Sequence, residues 1–182
     1  MYGPSGIIRG SNSDELYISD TYNHRIVSYP SGSVLAGGNG GGYTNKQLHT
    51  PLGFSYVSYS NSLIIANYGA HNVVQWTLGA NNWTLVAGGL NGLNGSSSKL
   101  LGAPVGVTVD PMGNVYIADT RNQRIQLFLQ GQLEGITIAG VTDVPGANAT
   151  LLNYPYWVQL DSQLNLYVCE FAGKRIQKFL RY

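Results

Sequence analysis

An all-β fold made of four copies of a four-stranded antiparallel unit is what the 182-residue sequence predicts. Three observations predict it. Four segments, Leu16 to Ile26, Leu63 to Val73, Val115 to Ile125 and Leu166 to Ile176, align without gaps at offsets of 47, 52 and 51 residues. A proline stands at a matching place ahead of each, at Pro4, Pro51, Pro104 and Pro155. The composition is that of turns and strands, with 24 glycines, 13 tyrosines and 10% charged residues, where an average soluble protein has roughly 25%. Periods of this length mark stacked repeat architectures, and here the repeat carries strand patterns and no helical ones.

Each unit follows the same order. A first strand begins at the proline, and in the third unit it spans Val105 to Asp110. A turn rich in turn formers follows: Ser11 to Asp14, Tyr59 to Ser62, Pro111 to Asn114 and Ser162 to Asn165. The second strand (Asn114 to Asp119) and the third (Arg124 to Leu129) flank a second turn, and a fourth strand (Gly135 to Ala139) closes on Ala-Gly. The third strand carries an aromatic at the same place in every unit, Tyr29, Trp76, Phe128 and Phe179, so one packing socket is expected to recur. A sheet this small cannot bury both faces alone, so neighbouring units must cover one another, which predicts blades fanned around an axis: a β-propeller. The blade boundaries fall at approximately 3–48, 49–101, 102–152 and 153–182 of a single domain.

The third unit, Pro104-Val-Gly-Val-Thr-Val-Asp110 and then Gly113-Asn-Val-Tyr-Ile-Ala-Asp-Thr-Arg-Asn-Gln-Arg-Ile-Gln-Leu-Phe128, resembles the NHL-repeat family of β-propellers. The resemblance extends in weaker form over the chain. Kelch repeats are of similar length, but their paired glycines stand inside the blade, whereas Gly37-Gly38 and Gly88-Gly89 close the fourth strand here. The family usually closes with five or six blades, so the resemblance implies that these four units, the last ending at Tyr182 without its fourth strand, are an arc of a larger ring, with four-bladed closure or completion by a second chain as the alternatives. Exposed blade faces at the two ends would then favour self-association.

Ten basic and nine acidic residues give a net charge of +1, so the field that draws proteins to phosphate backbones is missing. Some family members bind RNA on a basic rim. Here the cations Arg25, Arg121, Arg124, Lys174, Arg175 and Lys178 are few, and nucleic acid is not the expected partner. No apolar run approaches the roughly 18 residues that span a bilayer. The start, Met1-Tyr-Gly-Pro4, lacks the regions of a secretory signal, while sequons at Asn82, Asn94 and Asn148 weakly favour an extracellular location.

The acid and Arg that flank the second turn recur as Asp20/Arg25, Asp119/Arg124 and Glu170/Arg175, and become Asn67/Asn72 in the second unit. Both charges vanish together. An unpaired buried charge is costly, so joint loss is the signature of a structural ion pair across the turn. His24 and His71 occupy equivalent places, filled by Gln123 and Lys174 in the other units, and His49 precedes Pro51. The resemblance implies one sharp alternative here, because some NHL-like propellers are metal-dependent amidating lyases with a central zinc. Two of the three histidines nevertheless stand where other units have non-ligands, so no metal, cofactor or catalytic residue is expected. The tract Gly37 to Tyr43 lacks the Gly-Lys-Ser/Thr ending of a phosphate loop. Cys169 replaces Ser19, Ala66 and Ala118 and is expected to be a small core residue.

Recognition is expected on the loop rim beside the second turns. Tyr22, His24, Tyr68, His71, Arg121, Gln123, Phe171 and Lys174 would project there, with Trp157 replacing the glycine found at Gly6, Gly53 and Gly106. Aromatic and Arg side chains with few acids beside them suit a protein or glycan partner. The expected function is a non-catalytic interaction scaffold.

Overall fold

The computed structural model describes residues 1–10 and 14–181, and its strands group into four antiparallel sheets. The first blade is β1 (Pro4–Arg9), β2 (Leu16–Asp20), β3 (Arg25–Tyr29) and β4 (Val34–Gly37). The second is β5 (Pro51–Val57), β6 (Ser62–Asn67), β7 (Asn72–Thr77) and β8 (Thr84–Gly88). The third is β9 (Val107–Val109), β10 (Val115–Asp119), β11 (Arg124–Phe128) and β12 (Ile136–Gly140). The fourth has three strands, β13 (Pro155–Leu160), β14 (Leu166–Glu170) and β15 (Arg175–Phe179). In every blade the strands pair in chain order, as a meander joined by short connections must. The chain is a β-propeller of four blades whose last lacks its outer strand. No helix among the described residues is long and apolar enough to cross a membrane.

Each hydrophobic cluster is an interface between two blades. Ile26 and Ala36 of the first blade meet Phe54, Ile65 and Val74 of the second. Ala66, Val73 and Ala87 of the second meet Val107, Ile117 and Phe128 of the third. Ala118, Ile125 and Ala139 of the third meet Val158 and Val168 of the fourth. A leucine from the connecting loop, Leu48, Leu101 or Leu152, is fully buried in each. Burying one such aliphatic side chain is worth about 1.5–3 kcal/mol, so the blades hold each other and no sheet has a core of its own. The inner strands pack in sequence, β1 on β5, β5 on β9 and β9 on β13. Close approach there needs glycine: a Cβ on Gly106 would lie 2.8–2.9 Å from backbone atoms of Trp157, Tyr156 and Val158.

Two expectations are corrected by the same physical fact. Trp76 and Phe128 fill the aromatic socket of the third strand and are buried, but Tyr29 is 57% exposed. Its side of the sheet is the one that in the second and third blades packs on the preceding blade, and no sheet of the described residues packs on that side of the first. Cys169 is exposed and not part of the core: the equivalent Ala66 and Ala118 are covered by the next blade, and no sheet of the described residues covers that side of the fourth. The turn read at Ser11 to Asp14 lies, except for Asp14, outside the described residues. The other first turns form as expected: Asp110 accepts the N–H groups of Met112 and Asn114, and Asp161 those of Gln163 and Asn165. Both are Asx-type turns.

Candidate binding site

The second turn of each blade builds the rim, and four recurring contacts set it. A single helical turn, Thr21–Asn23, Tyr68–Ala70 or Thr120–Asn122, ends in a left-handed residue: His24 (φ 54°), His71 (φ 56°) or Gln123 (φ 59°). Lys174 takes the same conformation in the fourth blade, at φ 50°. The residues before the prolines are left-handed too: Gly3, Thr50, Ala103 and Tyr154. These two sets meet. His24 Nδ1 accepts the N–H of Thr50 at 3.0 Å, His71 Nδ1 that of Ala103 at 3.0 Å, and Gln123 Oε1 that of Tyr154 at 2.7 Å. The sequence suggested a ligand-facing rim for these positions; in the structure they clasp the entry of the next blade. Lys174 has only N–H donors and cannot make that bond.

The ion pairs form as the sequence implied. Arg25 Nε lies 2.8 Å from Asp20, Arg124 Nε 2.8 Å from Asp119 and Arg175 Nε 2.7 Å from Glu170. In the second blade Asn67 Nδ2 donates to Asn72 Oδ1 at 3.1 Å, a neutral copy of the same pair. Each acid or amide also accepts a backbone N–H from the entry segment: Tyr2, His49, Gly102 and Asn153 donate to Asp20, Asn67, Asp119 and Glu170. The arginines grip the incoming loop as well. Arg124 donates to the carbonyls of Ser96, Ser97 and Leu100, and Arg175 to those of Ala147, Asn148 and Leu151. Burial would raise the carboxyl of Asp20, but the Tyr2 N–H, Asn23 and Arg25 outweigh it and hold it below the ordinary range. At Asp119, where Arg124 is only 3% exposed, burial prevails over the Gly102 N–H, Asn122 and Arg124, and the carboxyl is pushed up.

Beside this framework residues of all four blades line a half-open cavity of about 370 Å³. Tyr22, Tyr68, Arg121 and Phe171 line it, together with Tyr154, Tyr156, Leu52 and Val105. The rings of Tyr156 and Phe171 lie 5.8 Å apart and tilted by 37°. Sequence reasoning missed Tyr154 and Tyr156. Their signal was positional: Leu52, Val105 and Tyr156 each follow a repeat proline, and all three face the axis. Thr21 and Thr120 close the wall by donating to the carbonyls of Pro51 and Pro155. Trp157 is not in the wall. Its indole reaches within 3.2 Å of where a Cβ on Gly53 would stand, so it fills the space that the repeat glycines leave on the axis.

Among the described residues Arg121 is the one cationic side chain in the wall, and no Asp, Glu or His lines it. The three histidines lie to one side, with the rings of His24 and His49 5.5 Å apart. Burial lowers the basicity of His24, and His49 lowers it further; at His71 burial, Arg121 and His49 act in that order. No group of three His, Cys, Asp or Glu side chains among the described residues is placed to hold a metal ion.

Residues 101–128 match the family model of the NHL repeat. The matched stretch holds the first three strands of the third blade. No curated protein sequence matches the chain. Among solved structures the chain is similar to a structural-genomics protein of unknown function from Bacteroides thetaiotaomicron, with a TM-score of 0.74 at 20% identity over 96% of this chain and 46% of that one. It is also similar to a streptogramin B lyase, with a TM-score of 0.65 at 17% identity over 98% and 52%. An auxiliary nutrient binding protein from the same Bacteroides has a TM-score of 0.64 at 16% identity over 90% and 44%. These likenesses establish the propeller fold around the NHL blade. The chain spans about half the length of each of the three.

Proposed function

We propose that this NHL-repeat propeller is a non-catalytic binding module that takes a protein or glycan partner in the cavity at its rim. The observation that carries this reading is the chemistry of the wall. Tyr22, Tyr68, Tyr154, Tyr156 and Phe171 present aromatic faces, and Arg121 adds one planar donor group. Sugar rings and peptide side chains stack on such faces, and tyrosine and arginine are the residue types that anchor interfaces. Among the described residues, none in the wall carries a carboxylate or imidazole that could act as general acid or base. That one similar structure is a nutrient binding protein supports the binding class.

The test is a titration of the protein against glycan and peptide panels, repeated with Tyr68→Ala and Phe171→Ala. Saturable binding that both changes weaken, and that moderate salt leaves intact, is expected. Affinity that collapses between low and moderate salt would point to a polyanion such as RNA. The lyase reading has one observation on its side, the similarity to a streptogramin B lyase. A metal-dependent lyase would have to draw on His24, His49 and His71, and two of these already accept backbone N–H groups through Nδ1. Stoichiometric bound metal by elemental analysis would replace the binding reading with that one.

A further inference from the structure

Each of the second turns contributes one large side chain to the cavity wall: Tyr22 in the first blade, Tyr68 in the second, Arg121 in the third and Phe171 in the fourth. Arg121 alone is charged. Its counterparts in the repeat are Tyr22, Gly69 and Ala172, so closing the turn does not require a guanidinium there. Arg25, Arg124 and Arg175 each hold a carboxylate, whereas among the described residues the Arg121 side chain has no ion pair and no hydrogen bond.

The base of that side chain is nevertheless fixed. The Arg121 N–H donates to the Gly102 carbonyl at 2.9 Å. The residues on either side are buried and bonded: Thr120 Oγ1 donates to the Pro155 carbonyl at 2.7 Å, and Asn122 Nδ2 to that of Gly95 at 2.8 Å. An exposed guanidinium on a rigid turn can meet a ligand without the turn being ordered first. The acids at the base of the second turns are already engaged, since Asp20, Asp119 and Glu170 are held by their own arginines and by backbone N–H groups. Among the described residues the wall thus carries one positive charge with no counterion.

The phenols point to the same kind of ligand. Tyr56 and Tyr116, outside the wall, donate their hydroxyls to Asn61 and Asp110. Those of Tyr22, Tyr68, Tyr154 and Tyr156 have no partner among the described residues. A ligand that meets all three features has an apolar ring face for the aromatics, hydroxyls for the phenols and one carboxylate for the guanidinium. A hexuronate, a sugar whose terminal carbon is a carboxylate, carries them on a single ring; an acidic peptide side chain brings the carboxylate alone. The volume of about 370 Å³ is at the small end of the roughly 300–1,000 Å³ of small-molecule sites, which fits the end of a glycan and not a length of polymer.

We propose that the cavity binds an acidic glycan end, a hexuronate whose ring lies on the aromatic faces and whose carboxylate makes a two-point pair with Arg121. This rests on the binding reading of the same cavity and narrows its ligand to one charge class. A single ion pair loses little affinity between low and moderate salt, in contrast to a polyanion.

The test is a calorimetric titration with di- and trisaccharides ending in glucuronate, galacturonate or mannuronate, each beside its methyl ester, which keeps the ring and removes the charge. At least one acid is expected to bind saturably, and its ester at least about tenfold more weakly, the difference that a charge-assisted pair makes. Arg121→Gln, a change at an exposed position that should leave Tm unaltered, brings the acid down to the affinity of the ester and leaves the ester where it was. Arg121→Lys keeps the charge, loses the fork and should fall between. Equal affinity of acid and ester, or an acid preference that survives Arg121→Gln, overturns the proposal and leaves the cavity a binding site. So does an acidic peptide that binds through Arg121 where no uronate does. Absence of all glycan and peptide binding, or binding indifferent to Tyr68→Ala and Phe171→Ala, overturns the binding reading of the cavity as well.

Discussion

His71 Nδ1 accepts the backbone N–H of Ala103 at 3.0 Å, across the boundary between the second and third blades. A neutral imidazole can do this; an imidazolium carries protons on both nitrogens and cannot. His24 makes the same bond to Thr50. The blade contacts are therefore sensitive to acid at two of three clasps, and at the third Gln123 does the same work without a titrating group.

The sign follows from the lowered basicity of both imidazoles. The unfolded chain takes up protons near the ordinary 6.5, and the folded chain only at lower pH. The contribution of the two clasps is thus complete above that value and is lost as pH falls below it. The charges facing these groups are His49 for His24, and Arg121 and His49 for His71, and all of them oppose protonation. Replacing both by the residue of the third blade, His24→Gln with His71→Gln, should flatten the fall in stability between neutral pH and pH about 5. Each preserved hydrogen bond is worth about 0.5–1.5 kcal/mol. Denaturant unfolding at the two pH values checks this, and an unchanged slope would remove the histidines from the explanation.

Arg124 is nearly inaccessible, pairs with Asp119 and holds three carbonyls of the incoming loop. Arg124→Ala leaves the Asp119 carboxylate buried without its cation, held only by the Gly102 N–H and Asn122, and should cost about 3–5 kcal/mol. The double change Asp119→Asn with Arg124→Asn copies the neutral pair that Asn67 and Asn72 already form. It should cost less than the single change, although it also gives up the loop carbonyls. Equal losses in chemical denaturation would mean that the loop grip, and not the charge, sets the stability.

The joint loss of acid and arginine was legible in the sequence because the repeat supplies its own internal control: four copies of one site, one of them neutral. The strands were legible for the same reason, and the third-blade strands observed, Val107–Val109, Val115–Asp119, Arg124–Phe128 and Ile136–Gly140, fall within about two residues of those read. The clasp was not. His24, His71 and Gln123 differ in type and share only an acceptor atom, and nothing local says that a φ near +55° points it at the next blade. Tyr154 and Tyr156 were missed because the cavity is assembled from different blades, so no single repeat outlines it.

Gln126 is 1% exposed, yet neither its amide nitrogen nor its oxygen has a partner among the described residues. The equivalent positions in the first two blades are Val27 and Val74, and both are buried. An unpaired buried amide costs about 1–3 kcal/mol. Gln126→Leu, of similar volume, should therefore stabilise the protein by about 1 kcal/mol, seen as a rise in Tm. A fall would show that the amide bonds to trapped water at the interface between blades.

At Gly106 the backbone of the third blade packs directly on that of the fourth. The atoms in the way of a Cβ are backbone atoms of Tyr156, Trp157 and Val158, which cannot swing aside as a side chain could. Gly106→Ala should thus cost about 1–3 kcal/mol and push the strand bearing Tyr156 away from the axis. Because Tyr156 stacks near Phe171 on the cavity wall, the same change should also weaken ligand binding, although residue 106 is not in the wall. Gly113→Ala provides the contrast. Its φ of 86° makes it costly too, but it sits in a first turn remote from the aromatic wall, so it should lower Tm and leave affinity untouched. Parallel measurement of Tm and affinity for the two variants separates a loss of stability from a displaced wall: equal affinities at matched folded fraction would show that the inner strands do not position the site.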